Sequence, residues 1–589
     1  MTKKEFRIVL LSITLCWSSS YLFIKEIPEE VSAYAYLTLT SGVAALILSV
    51  AFRKLFRLMD RAALLRGVIL GALITGNILF EKLGLDILPA STVSALAALN
   101  IVIVPLILIF RKQFPTSNNV AGIAIILVGL YLSGKFTAEG GGLLGIVWTL
   151  LSCILMSMYT VLAADYTRKS DPLLLTVLQL WVTTAVGLAL WLFTDSASFS
   201  RITWSAETLS YIMIIAFFSK AYAYVMLMYT EKYADAISVT VIAATEPIVT
   251  LGLAVLIPST LSSAEIFTFR SLMGALIIAA GAVVAGTDFL SRGKDKTKED
   301  HAGAVRLTDV TPGAPSPMTL KMLPKGKIAL ASMGILACYV MLGASIRVMD
   351  FAGGLSSVRP QNAIPTTAGI LAGPVGAFVC ALGNFIADMF WLNVYGRTAL
   401  IGVVANFLAA FIPWKVWRSL SGRMPDAHSW KNILIFIWAA FLGNIACAWV
   451  LSFGLQIFFP RRFEPLMIGA FWNNFIFTIA LGLPLFIVIT SGERKKSLLD
   501  VFWVLPDTPV GPKAKPIRLS LPQRIKPIWL LTADSVLLLA LFFAENLELL
   551  WTNSLPVRIL CVITAICAAL TCFLPRKEAE RDEKQAARK

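Results

Sequence analysis

The chain has 589 residues, 57% of them hydrophobic and only 15% charged, with a mean hydropathy of +0.77. That balance excludes a soluble multidomain protein of this size and predicts an all-α polytopic membrane protein, with the lipid bilayer as its solvent. The net charge of +16 does not argue for nucleic acid, because the basic residues sit in alternate connecting loops and not in one patch.

A helix needs ~20 apolar residues to cross ~30 Å of hydrocarbon. Windows near that length fit at 7–25, 33–51, 64–82, 89–110, 118–134, 142–163, 173–193, 208–228, 236–257 and 265–290 in the first half. They continue at 327–347, 360–372, 373–391, 397–414, 432–457, 466–490, 527–546 and 554–574, eighteen in all, with 360–372 short. With the N-terminus inside, 39 of the 51 Lys and Arg residues fall on the inner side, which predicts a cell-membrane protein with both termini cytoplasmic. The same bias favours a crossing at 360–372, since a re-entrant segment there would move Lys415, Arg418, Arg423 and Lys431 outside. The first span has basic residues before it but no small-residue cleavage pattern after it, so it reads as a retained helix.

Eight cysteines stand singly in apolar segments, and His301 and His428 lie in polar loops, so no metal site, disulfide framework or histidine triad can be assembled. No GxxxxGK[ST] loop is present, and any coupling to ATP would need separate proteins. No cofactor and no covalent step are implied.

Residues 76–110, "GNILFEKLGLDILPASTVSALAALNIVIVPLILIF", place Asn100 and Pro105 inside an apolar run, and residues 231–257 place Glu246 and Pro247 inside another. Aligned without gaps, "PASTVSALAALNI" (89–101) and "DAISVTVIAATEP" (235–247) match Ala90 with Ala236 and Asn100-Ile101 with Glu246-Pro247. This reads as an internal repeat of five helices, 1–140 and 141–290. An odd number of crossings per repeat forces opposite orientations, and in inverted repeats the solute site lies near the midplane at a helix break. Pro247 lacks an amide donor and frees a carbonyl there.

Two fives of spans, the opening "CWSSSYLFIKEIPEEVSAYAYLTLTSGVAALIL" and "EPIVTLGLAVLI" resemble the drug/metabolite transporter superfamily, EamA type, over residues 1–290. The resemblance implies a ten-helix inverted-repeat transporter of small metabolites. In this chain "IPSTLSS" replaces the Leu-Gly-Glu common at the end of span nine, and Asn100-Ile101 stands where the first repeat commonly has a proline.

Residues 291–326 combine charge, Gly and Pro without apolar periodicity and read as a cytoplasmic linker. Beyond it, "SSVRPQNAIPTTAGILAGPVGAFVCALGNFIADMFW" (356–391) resembles the substrate-binding component of energy-coupling factor transporters, over a six-helix unit at 327–490. That resemblance implies a solute-capturing unit partnered by an ATPase and a transmembrane coupling subunit. The Ala-x-x-x-Ala pattern of such components is replaced by Gly334 and Cys338, a small-xxx-small substitute. A basic, Pro-rich segment (491–526) precedes a terminal helix pair and tail (527–589).

An ionised group at the bilayer centre costs roughly 2.5–3.5 kcal/mol on insertion scales, so each is a functional hypothesis beside a structural one. Glu246, ten residues from either end of its span, is a solute or proton site or a structural hydrogen-bonding group. Lys220 is its charge partner, an anion contact or a snorkelling residue. Trp17 and Ser19 are read as cavity-lining, against the alternative that serines bond their own backbone. Asn100 joins them as the counterpart of Glu246, while Glu81 and Lys82 read as interface residues near a span end. In the second unit, Asn384 and Asp388 share a helix face, and Arg359 and Asn362 precede the short segment. The four predict an outward pocket for a small polar solute, or interhelical hydrogen bonding. Three functions stay open: a secondary carrier fused to a solute-capturing unit, a component of energy-coupled vitamin or precursor uptake, and a non-transporting receptor or assembly module.

Overall fold

The computed structural model describes residues 3–133, 142–250, 269–285, 325–344 and 350–490, apart from short stretches at 26, 29, 114, 234–235, 244, 352–355, 358, 391–395, 421–424, 428 and 459–462. Positions 529, 532, 563 and 566 are also described. The linker up to residue 324, the segment 491–526, nearly all of the terminal pair and the end of span nine lie outside the described residues. The chain divides into two compact units, Phe6–Arg306 and Leu307–Lys589, the latter grouped with Met1–Glu5.

The first unit runs α1 (Lys3–Lys25), α2 (Ala33–Ala51), α3 (Arg61–Ile87), α4 (Ala90–Ala97), α5 (Asn100–Phe110), α6 (Ser117–Ser133), α7 (Gly142–Tyr166) and α8 (Pro172–Thr194). It continues with α9 (Ala206–Ile214), a π-helical segment Ile215–Tyr222, α10 (Ala223–Tyr233), α11 (Ala236–Ala243) and α12 (Phe269–Ala285). Short polar residues start these helices by satisfying orphan amides: Ser32 for α2, Asp60 for α3, Asp171 followed by Pro172 for α8, and Ser205 for α9. Inside the apolar spans, threonines such as Thr40, Thr176 and Thr230 bond the carbonyl four residues back, which meets their hydrogen-bonding need within their own helix.

Windows four and nine are each interrupted. The first breaks between α4 and α5 at Ala98-Leu99; the second breaks after α11, and the helix restarts at Glu246. In the aligned register the two breaks coincide. Pro247 falls in the first turn of the restarted helix, where a missing amide is tolerated, and Thr245 supplies carbonyl acceptors to Ile248 and Val249. Helices α6 and α12 pack through reciprocal glycines: a Cβ on Gly129 would stand 2.9 Å from the Gly274 carbonyl, and one on Gly281 2.8 Å from that of Gly122.

The second unit runs α13 (Lys325–Ala344), a two-residue antiparallel pairing of Asp350–Phe351 with Ser356–Ser357, a 3-10 turn Pro360–Ala363, and α14 (Ile364–Phe390). It ends with α15 (Arg397–Leu420), α16 (Trp430–Phe458), α17 (Phe463–Phe477), a π-helical segment Thr478–Gly482 and α18 (Leu483–Thr490). Segment α14 is not straight. Gly373 has φ 60° and ψ −139°, a conformation that side chains rarely tolerate, and Pro374 then starts a new helical direction. A Cβ on Gly376 would lie 2.3 Å from the Ala368 carbonyl, and the Arg359 guanidinium stands 3.5 Å from Asp388. On a straight helix those last two residues would be ~40 Å apart. The chain therefore doubles back at Gly373, as expected of a turn between short helices. The first arm, 360–372, spans only ~20 Å at helical rise, less than the hydrocarbon thickness.

Eleven helices among the described residues are long and apolar enough to cross a membrane, and Ser117–Gly129 and Ile328–Gly343 are shorter apolar helices. The difference from eighteen windows has identifiable sources. Window nine is interrupted, window ten is the 17-residue α12, two windows merge into the reversed α14, and the last two lie outside the described residues.

Candidate transport site

A cavity of about 60 Å³, room for a few water molecules, lies within the first unit. Both broken helices border it, with Val93, Ala97 and Asn100 from one and Val239, Ala243 and Glu246 from the other. These are aligned pairs, so the sequence register is also a spatial one.

Glu246 is buried, and Tyr21 hydrogen-bonds its carboxylate. Its backbone carbonyl accepts from Ser18 of α1 (3.2 Å) and from Thr250 (2.9 Å). The Asn100 side-chain oxygen accepts from Cys153 (3.0 Å) and Ser157 (2.9 Å) of α7. The break at Glu246 is thus fastened to α1 and the one at Asn100 to α7. Trp17 lines the cavity with its ring 5.8 Å from that of Tyr224. Ser19 is not among the lining residues, and its hydroxyl donates to the Cys16 carbonyl at 2.9 Å, the self-bonding alternative.

Lys220 is 3% exposed and sits in the π-helical segment, whose extra residue per turn re-aims side chains. Its ammonium lies 5.6 Å from the Tyr36 ring centre and 5.9 Å from that of Tyr224, a cation–π environment that offsets part of the cost of burial. The carboxylate acting on it electrostatically is Glu81. Glu81, expected at the membrane interface, in fact lines the cavity; Lys82 bonds Asp86 on its own helix. The same register pairs Glu81 with Leu227, and the structure places both on the cavity. Asn77, which donates to the Ser152 hydroxyl at 2.8 Å, is a further lining residue that span-by-span reading missed.

In the second unit the four predicted residues converge at the open end of the α14 reversal. Asp388 accepts from Asn384 (2.7 Å) and faces Arg359. Asn362 donates to Asn474, and its carbonyl accepts from Thr478 at 2.9 Å. Arg359 donates its backbone amide to Asn473 (3.3 Å), Asn444 donates to Thr478 (3.1 Å), and Thr367 donates to the Gly482 carbonyl (3.0 Å). Asparagines 444, 473 and 474 were missed; amides inside apolar runs were their only signal.

Broken helices around a buried, charged cavity, within a chain of many membrane-length helices, define a multi-pass membrane transporter of small molecules. Residues 7–134 and 143–287 each match the EamA-like transporter family. None of the curated proteins matches the chain. A crystal structure described only as that of a protein is similar over 48% of this chain and 94% of its own, at 16% identity and a TM-score of 0.37.

Proposed function

We propose that the first unit is a gradient-driven carrier of a small polar metabolite, working by alternating access of two oppositely oriented repeats, with Glu246 exchanging a proton during the cycle. The observation that carries this reading is the pair of coincident helix breaks bordering one cavity, with Asn100 on one and Glu246 on the other. Glu81 and Lys220 offset one another electrostatically, whereas the Glu246 side chain is held by the neutral Tyr21 hydroxyl. A proton or a cationic group of the solute would neutralise it. Trp17 and Asn100 shape the solute's surroundings. Metabolite profiling of deletion and overexpression strains identifies the cargo. An accumulation difference that persists unchanged with Glu246→Gln would refute the proton-exchange role.

The second unit, in the same proposal, captures solute from outside through Arg359, Asn362, Asn384 and Asp388 and operates in the cell membrane with both termini in the cytoplasm. A second reading, energy-coupled uptake with separate ATPase and transmembrane subunits, draws on α13. Leu330, Met333 and Cys338 are exposed there, and among the described residues nothing lies within 4 Å of a Cβ built on Gly334, a small-residue face suited to a helix partner. Co-purification of an ATPase with the full chain tests it; isolation without any such subunit from cells that express one would count against it.

A further inference from the structure

A second polar layer lies beside the cavity, formed by Tyr159, Gln179 and Met228. Tyr159 and Met228 are fully buried and immediately adjoin the lining residues Thr160 and Leu227. The Tyr159 hydroxyl contacts the Gln179 side-chain oxygen at 3.1 Å and the Met228 sulfur at 3.3 Å, tying α7 to α8 and α10. Its ring packs edge-on against Tyr224, which lines the cavity, with centres 6.4 Å apart. Gln179 is fully buried, and its amide nitrogen has no hydrogen-bond partner among the described residues. A buried donor of that kind needs an explanation. One turn beyond Met228, Glu231 is buried within electrostatic reach of Tyr159. On the same side of the unit, where α5 and α7 end, Arg111 pairs with Asp165 at 2.5 Å.

We infer that Tyr159, Gln179 and Met228 form a gate closing the cavity on the Arg111–Asp165 side, and that the Gln179 amide is the next hydrogen-bond donor for an acceptor-bearing solute leaving the Lys220 level. This rests on the cavity being the transport site. The Tyr159 hydroxyl holds Gln179 across the helix interface while the gate is shut. On opening, the amide gains a carbonyl, carboxylate or water acceptor, which accounts for a donor kept in an apolar interior. By the distribution of basic residues this side is the cytoplasmic one.

Cys153, which lines the cavity, reports on the gate without any knowledge of the solute. The unsubstituted chain, in intact cells and in inside-out membrane vesicles, is exposed to a membrane-impermeant methanethiosulfonate reagent, and modification at residue 153 is followed by mass spectrometry. Tyr159→Phe and Gln179→Leu are expected to speed labelling from the Arg111–Asp165 side about five- to tenfold, while the rate from the opposite side stays constant and reports intact folding. Unchanged rates in both variants, equal labelling of the unsubstituted chain from both sides, or no labelling from either side would each overturn the gate. Glu246→Gln does not enter this experiment, so the gate and the proton-exchange role fail separately.

Discussion

The two units bury polar residues at comparable depth but use them differently. In the first, Glu81, Lys220 and Glu246 border a cavity, with aromatic rings and single hydroxyls as their company. In the second, asparagines bond one another and threonines between segments, Asn362 to Asn474 and Asn444 to Thr478, while Asn384 bonds Asp388 on its own helix. A polar group facing open space keeps its chemistry available to a solute. One that is bonded to its neighbour has already exchanged much of that availability for structure.

The comparison breaks most visibly at Glu246. Glu246→Gln is expected to remove gradient-driven transport by about 10²-fold or more while solute exchange persists, if the carboxylate serves general proton transfer. Uptake and counterflow in proteoliposomes measure the two modes; retention of gradient-driven uptake would place Glu246 with the structural amides. Next in size, Asn474→Leu removes the partner of Asn362 and is expected to cost roughly 1–3 kcal/mol of second-unit stability, while first-unit transport stays near normal. A thermal-shift assay on the full chain reads the first effect and an uptake assay the second.

A smaller effect sharpens the role of the first unit's charges. Lys220→Met leaves Glu81 without its counter-charge and within electrostatic reach of a second acid, Glu246, so the double variant Lys220→Met with Glu246→Gln is expected to express better than Lys220→Met alone yet stay inactive. Because Glu81 is the carboxylate acting on Lys220, Lys220→Met with Glu81→Gln should recover more expression still. Equal expression of all three, by quantitative blotting of membranes, would show that pairing does not limit folding. The smallest readout is topological. A cysteine at position 423 is expected to be shielded from impermeant reagent in intact cells if the arm 360–372 crosses; outside labelling would make that ~20 Å arm re-entrant.

Composition and hydropathy by themselves determined the membrane class and most spans, because each span must meet its backbone hydrogen bonds internally whatever it packs against. Pro247 marked the break in span nine, because a missing amide acts on the local backbone, whereas the matching break at Ala98-Leu99 emerged only in the structure. What lay near a span end was misjudged. Glu81 read as an interface residue because distance along one helix says nothing about the groove that α3 forms with its neighbours. Ser19 read as cavity-lining because the sequence cannot show whether a hydroxyl turns back to its own helix. Only the tertiary structure set Glu81 against Lys220, doubled α14 back so that Arg359 meets Asp388, and joined Asn362 to Asn474, 112 residues away. Those pairings depend on which faces of distant helices meet, and helix periodicity fixes a face but not its partner.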